Sequence, residues 1–184
     1  MGDAAAMIAS RFLSPRDITQ AEIQAICTLK NQSWPHSMES QLAWWEKNTD
    51  EDDVFVTLVR DGSLLAFLRL RSRTVSAGGA LLAVLCATEV CVDESNQGQG
   101  LGTLLMGAAT DHIEQTSSSV GYLLCRDVQE PFYAACGWRR TDAPPQIESP
   151  IGRGRRPLAP NERCMTFDPK NRLNGKIVLF GDVF

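Results

Sequence analysis

Residues 95–106 read SNQGQGLGTLLM, and no other stretch constrains the chain as much. It joins the apolar run LLAVLCATEVCV (81–92) to a helical pattern that begins at Leu101, and it places glycines at positions 98, 100 and 102. Glycine between ordered elements costs conformational entropy, so such a cluster calls for a sharp turn or a close approach of something to the backbone. A strand, a glycine-rich turn and a helix start together form an anion site. Unpaired N–H groups point outward there, and the helix macrodipole adds partial positive charge. A plain structural turn is the competing reading. Two phosphate motifs fail on inspection. A P-loop needs Lys after its last glycine, where Thr103 and Leu104 stand, and the dinucleotide pattern counted from Gly98 would need glycine at position 103.

Periodicity supplies the surrounding elements. Ile23, Ile26, Cys27 and Leu29 fall at helical spacing in 21–34, and 37–49 reads as a second helix with Ser37 or Ser40 available as N-cap. Residues 53–75 form two β-rich runs around Asp61-Gly62, a hairpin signal. The loop SAGGA leads to a strand over 81–92. A helix over 101–116, a short strand at 121–125 and a short helix over 130–138 ended by Gly137 follow. A Pro/Gly/Arg-rich loop (143–160) precedes CMTFDP (164–169) and a last strand at 176–180. Strand–helix–strand alternation beside a hairpin predicts an α/β fold, its mixed sheet mostly antiparallel and flanked by helices. The length predicts one domain over 1–184, with 1–10 loose.

Charge and cysteine usage exclude several classes. Acidic residues outnumber basic ones, 22 to 18, which argues against nucleic acid as a partner and favours cationic small molecules. The apolar runs are too short for a membrane span, and the start lacks the head and core of a signal peptide. Gly2 suggests myristoylation, but Ala6 stands where Ser or Thr is required. The six cysteines are scattered through apolar segments without a C-x-x-C pair, so they read as reduced core residues of a cytoplasmic protein, and no metal site is expected.

The spacing Gln97-x-x-Gly100-x-Gly102 resembles the Q/R-x-x-G-x-G/A signature of the GNAT acetyltransferase superfamily, whose loop cradles the pyrophosphate of acetyl-CoA. TEVCVDES (88–95) is similar to that family's fourth strand. PFYAACGW (131–138) is similar to its short helix before the sixth strand, where a Tyr precedes a Gly-aromatic pair. The resemblance covers residues 80–140 and implies the GNAT fold and acetyl-CoA as co-substrate. It implies cofactor contacts at Gln97, Gly98, Gln99, Gly100, Leu101, Gly102 and Thr103, and at the backbone of Val90, Cys91 and Val92.

Acetyl transfer to an amine needs a deprotonated nucleophile, a stabilised oxyanion and a proton for the departing thiolate. Tyr133 matches the family's general acid; a Tyr packed on the sheet is the bland alternative. Glu89, a carboxylate in an apolar run, is the candidate base, where desolvation would raise its pKa toward a useful value. Thr88 lies in register with some members' acidic position, and one residue along a strand means the opposite face. Cys91 needs no covalent role, because no histidine lies near it in sequence. His112 reads as a solvated residue on the polar side of its helix.

The tail, from GYLLC to FGDVF, is similar to the aminoglycoside 2′-N-acetyltransferases, which implies acceptor contacts at Asp182 and Phe184 and, by a weaker match, at Glu162. Clustered carboxylates suit a polycation. The departures are that QSWPHSMES lacks the acidic residue the resemblance expects at the acceptor mouth, that Leu124 stands in place of a polar residue, and that Arg153, Arg155 and Arg156 occupy the late loop. Three readings follow: an acetyltransferase for a small, aminoglycoside-like amine; a protein or peptide N-acetyltransferase using a groove formed by the helix 1–2 loop with Trp34, Trp44 and Trp45, which read equally well as core; and an acyl-CoA-binding module without catalysis. The natural acceptor, acyl length and oligomeric state, a homodimer included, stay open.

Overall fold

The computed structural model describes residues 7–117, 119–141, 145–148 and 155–180, with backbone alone at 155–156. The chain divides into two compact units, residues 1–70 with 89–108, and 71–88 with 109–184.

In the first unit, β1 (Ala9–Leu13), β2 (Val54–Arg60) and the first half of β3 (Ser63–Ala77) form antiparallel pairs. Ala9 and Ser10, expected to be loose, pair instead with Val59 and Leu58. The β1 side chains are mostly exposed, so the strand carries little apolar periodicity to read. The β2–β3 turn is the expected Asp61-Gly62 pair. Both residues have positive φ (51° and 77°), as a two-residue primed turn requires. The register slips after Leu58, leaving Leu65 as the extra residue, and the Leu65 carbonyl accepts from the Asp93 N–H at 2.9 Å.

Helices α1 (Gln20–Ser33) and α2 (Met38–Lys47) start at side-chain caps. Thr19 and Glu22 form a capping box, and Ser37 accepts from the Ser40 N–H. Ile26, Cys27, Leu29, Trp45, Phe55, Phe67 and Cys91 make the core of this unit, with the Trp45 and Phe55 ring centroids 4.7 Å apart.

In the second unit the strand order is β6-β9-β5-β4-β3-β10-β7-β8. The end of β3 meets β4 (Ala80–Val92) across Gly78-Gly79, and β4 pairs in parallel with β5 (Gly121–Arg126). On the far side of β5 lie β9 (Glu162–Phe167) and the two-residue β6 (Arg139–Arg140), both antiparallel. Beyond β3 lie β10 (Ile177–Phe180) and two three-residue strands, β7 (Gln146–Glu148) and β8 (Arg155–Pro157), in the segment expected to be loop. Most of these pairings are antiparallel, as the sequence predicts. Helix α4 (Glu130–Ala135) is terminated at Gly137 (φ 86°), while α3 (Leu101–Gln115) runs through both units. Gly121 is a packing glycine: a Cβ there would sit 2.9 Å from Ile113 Cδ1 and 2.9 Å from the Trp138 ring. None of the six cysteines forms a disulfide, and five are buried. Among the described residues no helix is long and apolar enough to cross a membrane.

Candidate functional site

The turn between β4 and α3 is fixed from beneath and open above. The Asp93 side chain accepts from the Ser95 N–H, the Ser95 hydroxyl and the Asn96 amide, and its other oxygen accepts from Gln32 Nε2 at 3.0 Å. The Ser95, Gln32 and Asn96 donors hold its pKa down at about 2, so the carboxylate stays charged at any working pH. Gln32, near the end of α1, also accepts from the Glu94 N–H at 2.9 Å. Gln97 folds back, its amide donating to the Val92 carbonyl at 3.2 Å. Arg60, at the end of β2, donates to Asn96 Oδ1 at 3.1 Å.

Over this footing the backbone turns at Gly98 (φ 75°) and Gly100 (φ 80°). A Cβ built at either glycine meets nothing within 4 Å. Packing therefore does not demand glycine there; the conformation does, and so does leaving the amides bare. Gln97, Gly98, Gln99, Gly100 and Thr103 are exposed, while Leu101 is buried as the first residue of α3. The shape suits a diphosphate: exposed amides, unobstructed approach and a helix start.

Just before this turn, β4 is bent. Glu89 has a φ of 56°, a left-handed conformation that costs a non-glycine residue about 1–2 kcal/mol. The kink breaks strict two-residue alternation, and Thr88 (9% exposed) and Glu89 are both mostly buried. In a regular strand only one of the two would face inward, and the strand is not regular here.

Glu89 belongs to a buried cluster of charges in the first unit. One of its carboxylate oxygens lies 3.1 Å from Lys30 Nζ and 3.5 Å from Arg69 Nε. Arg69 also pairs with Asp53 at 3.2 Å and donates to the Asn48 carbonyl at 2.8 Å. Aromatic rings enclose the cations. Lys30 Nζ sits 4.2 Å from the Trp44 ring centroid, and the Arg69 guanidinium 4.6 Å from that of Trp45. Neither Glu89 oxygen has a hydrogen bond of good geometry, so lone pairs remain to accept a proton or a donor. The sequence reading missed Lys30, Arg69 and Asp53. Lys30 had a legible signal, because it occupies the slot after Ile23, Ile26 and Cys27 on the apolar face of α1.

Val90, Cys91 and Val92 continue β4 beyond Glu89. Burial pushes the Cys91 thiol up to about 12, with Glu89 adding to the rise. Such a sulfur stays protonated and unreactive. Within the second unit, the β4–β5 ladder ends at Cys86–Tyr122.

Tyr133 is the one buried residue of α4. Its ring meets Phe132 edge-on at 4.9 Å, and its carbonyl accepts from the Cys136 and Trp138 N–H groups. Burial, and then the Cys125 and Cys136 thiols, raise its pKa well above that of a free phenol. Glu162 is tied up as a turn cap, one of its oxygens accepting from the Ala159 N–H at 2.8 Å. Asp182, Phe184 and Arg153 lie outside the described residues, as do the side chains of Arg155 and Arg156. His112, expected to be solvated, is half-buried, and burial lowers its pKa. The described residues contain no group of side chains placed to hold a metal ion.

The sequence profile described as "Acetyltransferase (GNAT) domain" matches residues 14–141. No curated protein matches the sequence. Among solved structures, the chain is similar to the GNAT family N-acetyltransferase YhbS from Escherichia coli in complex with CoA, at a TM-score of 0.65 and 16% identity, covering 97% of this chain and 93% of that one. It is similar to Escherichia coli ElaA at 0.63 and 15%, covering 88% and 100%. It is also similar to the ribosomal-protein-S18-alanine N-acetyltransferase from Escherichia coli at 0.58 and 17%, covering 89% and 98%.

Proposed function

The chain belongs to the acetyltransferase (GNAT) family, and we propose that, as a single catalytic domain over 1–184, it transfers an acetyl group from acetyl-CoA to a primary amine of a small acceptor. The observation that carries this reading is the bare turn at Gly98 and Gly100, fixed by Asp93 and followed at once by α3. It offers amides to a diphosphate without a side chain in the way. Acetyl-CoA brings the activated thioester.

The chain's own residues take three roles. Residues 97–103 bind the diphosphate, and the amides of Val90 to Val92 orient the acyl arm. Glu89 accepts the proton of the acceptor amine, supported by the carboxylate oxygen that stands outside the Lys30 and Arg69 ion pairs and by burial that excludes competing water. Tyr133 holds the proton that the departing thiolate needs, and its raised pKa suits an acid that must stay protonated. Cys91 takes no covalent part.

An aminosugar with several ammonium groups is the first acceptor to test, on the resemblance carried by Asp182, Phe184 and Glu162. A peptide acceptor is the second reading, favoured by Trp34 and Met38, which stay 43% and 37% exposed where α1 passes to α2. A panel of aminosugars, polyamines and peptides incubated with acetyl-CoA, with free thiol release followed, separates the readings. Release that depends on an amine supports the proposal, and competition by peptides alone selects the second reading. Tight CoA binding with no release on any amine would leave a binding module and contradict catalysis.

A further inference from the structure

The turn that is read as the acetyl-CoA site lacks a cation of its own. From Asp93 through Cys125 the sequence contains no Lys or Arg, and the turn itself begins with two acids, Asp93 and Glu94. Gln97 stands where the signature also admits Arg, and its amide is spent on the Val92 carbonyl. Bare amides and a helix start contribute only partial charges, whereas a diphosphate carries two full negative charges. A local positive charge is wanted, and it must come from another element.

The geometry points to Arg60 as that charge: a phosphate-binding residue delivered to the turn by the β2–β3 hairpin. The primed turn at Asp61-Gly62 and the register slip at Leu65 bring the hairpin end to the turn, where the Leu65 carbonyl takes the Asp93 N–H. Arg60 follows, one terminal nitrogen held 3.1 Å from Asn96 Oδ1. That is its only hydrogen bond among the described residues, and the side chain is half-buried, so its direction is set while its other N–H groups stay uncommitted. A guanidinium tethered at one corner keeps an edge for bidentate contact with phosphate oxygens. The ligand is a phosphate of the co-substrate, either the diphosphate or the phosphate on the nucleotide ribose.

This inference rests on the reading of residues 97–103 as a CoA site, and the test keeps the two separable. Binding of CoA, dephospho-CoA and pantetheine to the full chain is measured by calorimetry at low and moderate salt, for the unaltered protein and for Arg60→Gln and Arg60→Lys. No CoA binding by the unaltered protein would remove the reading itself and the inference with it. With CoA bound, Arg60→Gln is expected to weaken it roughly tenfold, to flatten its salt dependence and to leave pantetheine within twofold. Arg60→Lys, which keeps the charge but loses the bidentate edge, should recover only part of the loss. An equal loss on dephospho-CoA assigns the contact to the diphosphate, and a loss confined to CoA assigns it to the ribose phosphate. Arg60→Gln binding CoA within twofold of the unaltered protein would overturn the inference while leaving the CoA site intact. So would equal losses on CoA and pantetheine, which would make Arg60 a strap for the turn.

Discussion

Lys30 Nζ lies 3.1 Å from a carboxylate oxygen of Glu89, with both side chains nearly removed from solvent. A pair in that setting stabilises little when intact, yet removing one partner strands a buried charge. Glu89→Gln and Lys30→Met should each lower unfolding stability by about 3 kcal/mol. The double variant should lose clearly less than their sum, because neither charge is then left alone. Denaturant titration of the four proteins checks this, and additive losses would mean the pair is not coupled. Glu89→Gln should also cut turnover on a working amine roughly a hundredfold at neutral pH, while CoA affinity stays within twofold.

Tyr133→Phe should lower turnover at least roughly tenfold with little change in CoA affinity. The pH profile carries a second test. An acid catalyst is lost as pH rises through its pKa, and burial beside Cys125 and Cys136 moves that of Tyr133 upward. Turnover should therefore show no alkaline decline from this residue below about pH 10. A decline near pH 8 that disappears in Tyr133→Phe would contradict the raised pKa, and unchanged turnover in Tyr133→Phe would contradict the assignment as acid.

Asp93 organises the turn through Ser95, Asn96 and Gln32. Asp93→Ala frees Ser95, Asn96 and Gln32 together and should raise the Kd for CoA roughly tenfold. Its folded pKa of about 2 lies below the ordinary value of 3.8, so its contribution is complete above about pH 4 and is lost only as pH falls toward 2. CoA affinity measured across pH 5 to 8 should therefore show no step from this residue.

The cysteines should be quiet. Burial raises the thiols of Cys86 and Cys125 to about 11 and that of Cys91 to about 12. At pH 8 a thiol reagent should modify the partly exposed Cys136 first and leave these three until the protein unfolds. Cys91→Ala should retain turnover within about threefold, at a stability cost of about 1 kcal/mol. Abolished turnover in a folded Cys91→Ala protein would revive covalent chemistry.

How much of this was legible in the sequence depended on how local its cause was. The primed turn at Asp61-Gly62, the Ser37 cap and the Gly137 stop are set by one or two residues and could be read directly. The short strands β6, β7 and β8 could not. Two or three residues carry no periodicity, and β6 and β7 find their partners β9 and β10 far along the chain. At the site, the glycine turn announced itself through composition, while its footing in Gln32, Arg60 and Asp93 is tertiary. The bend at Glu89 was invisible because no glycine or asparagine marks a positive φ in TEVCV. Lys30 and Arg69 were readable only as charges sitting in apolar slots of α1 and β3.

The central claim is that the backbone amides of the glycine turn hold the CoA diphosphate. Amide nitrogen–proton correlation spectra recorded while CoA is added test it most directly. The account predicts large downfield shifts at Gly98, Gly100 and Gly102 that saturate together with binding. Saturated binding with those three signals unmoved, or no binding at all, would contradict it.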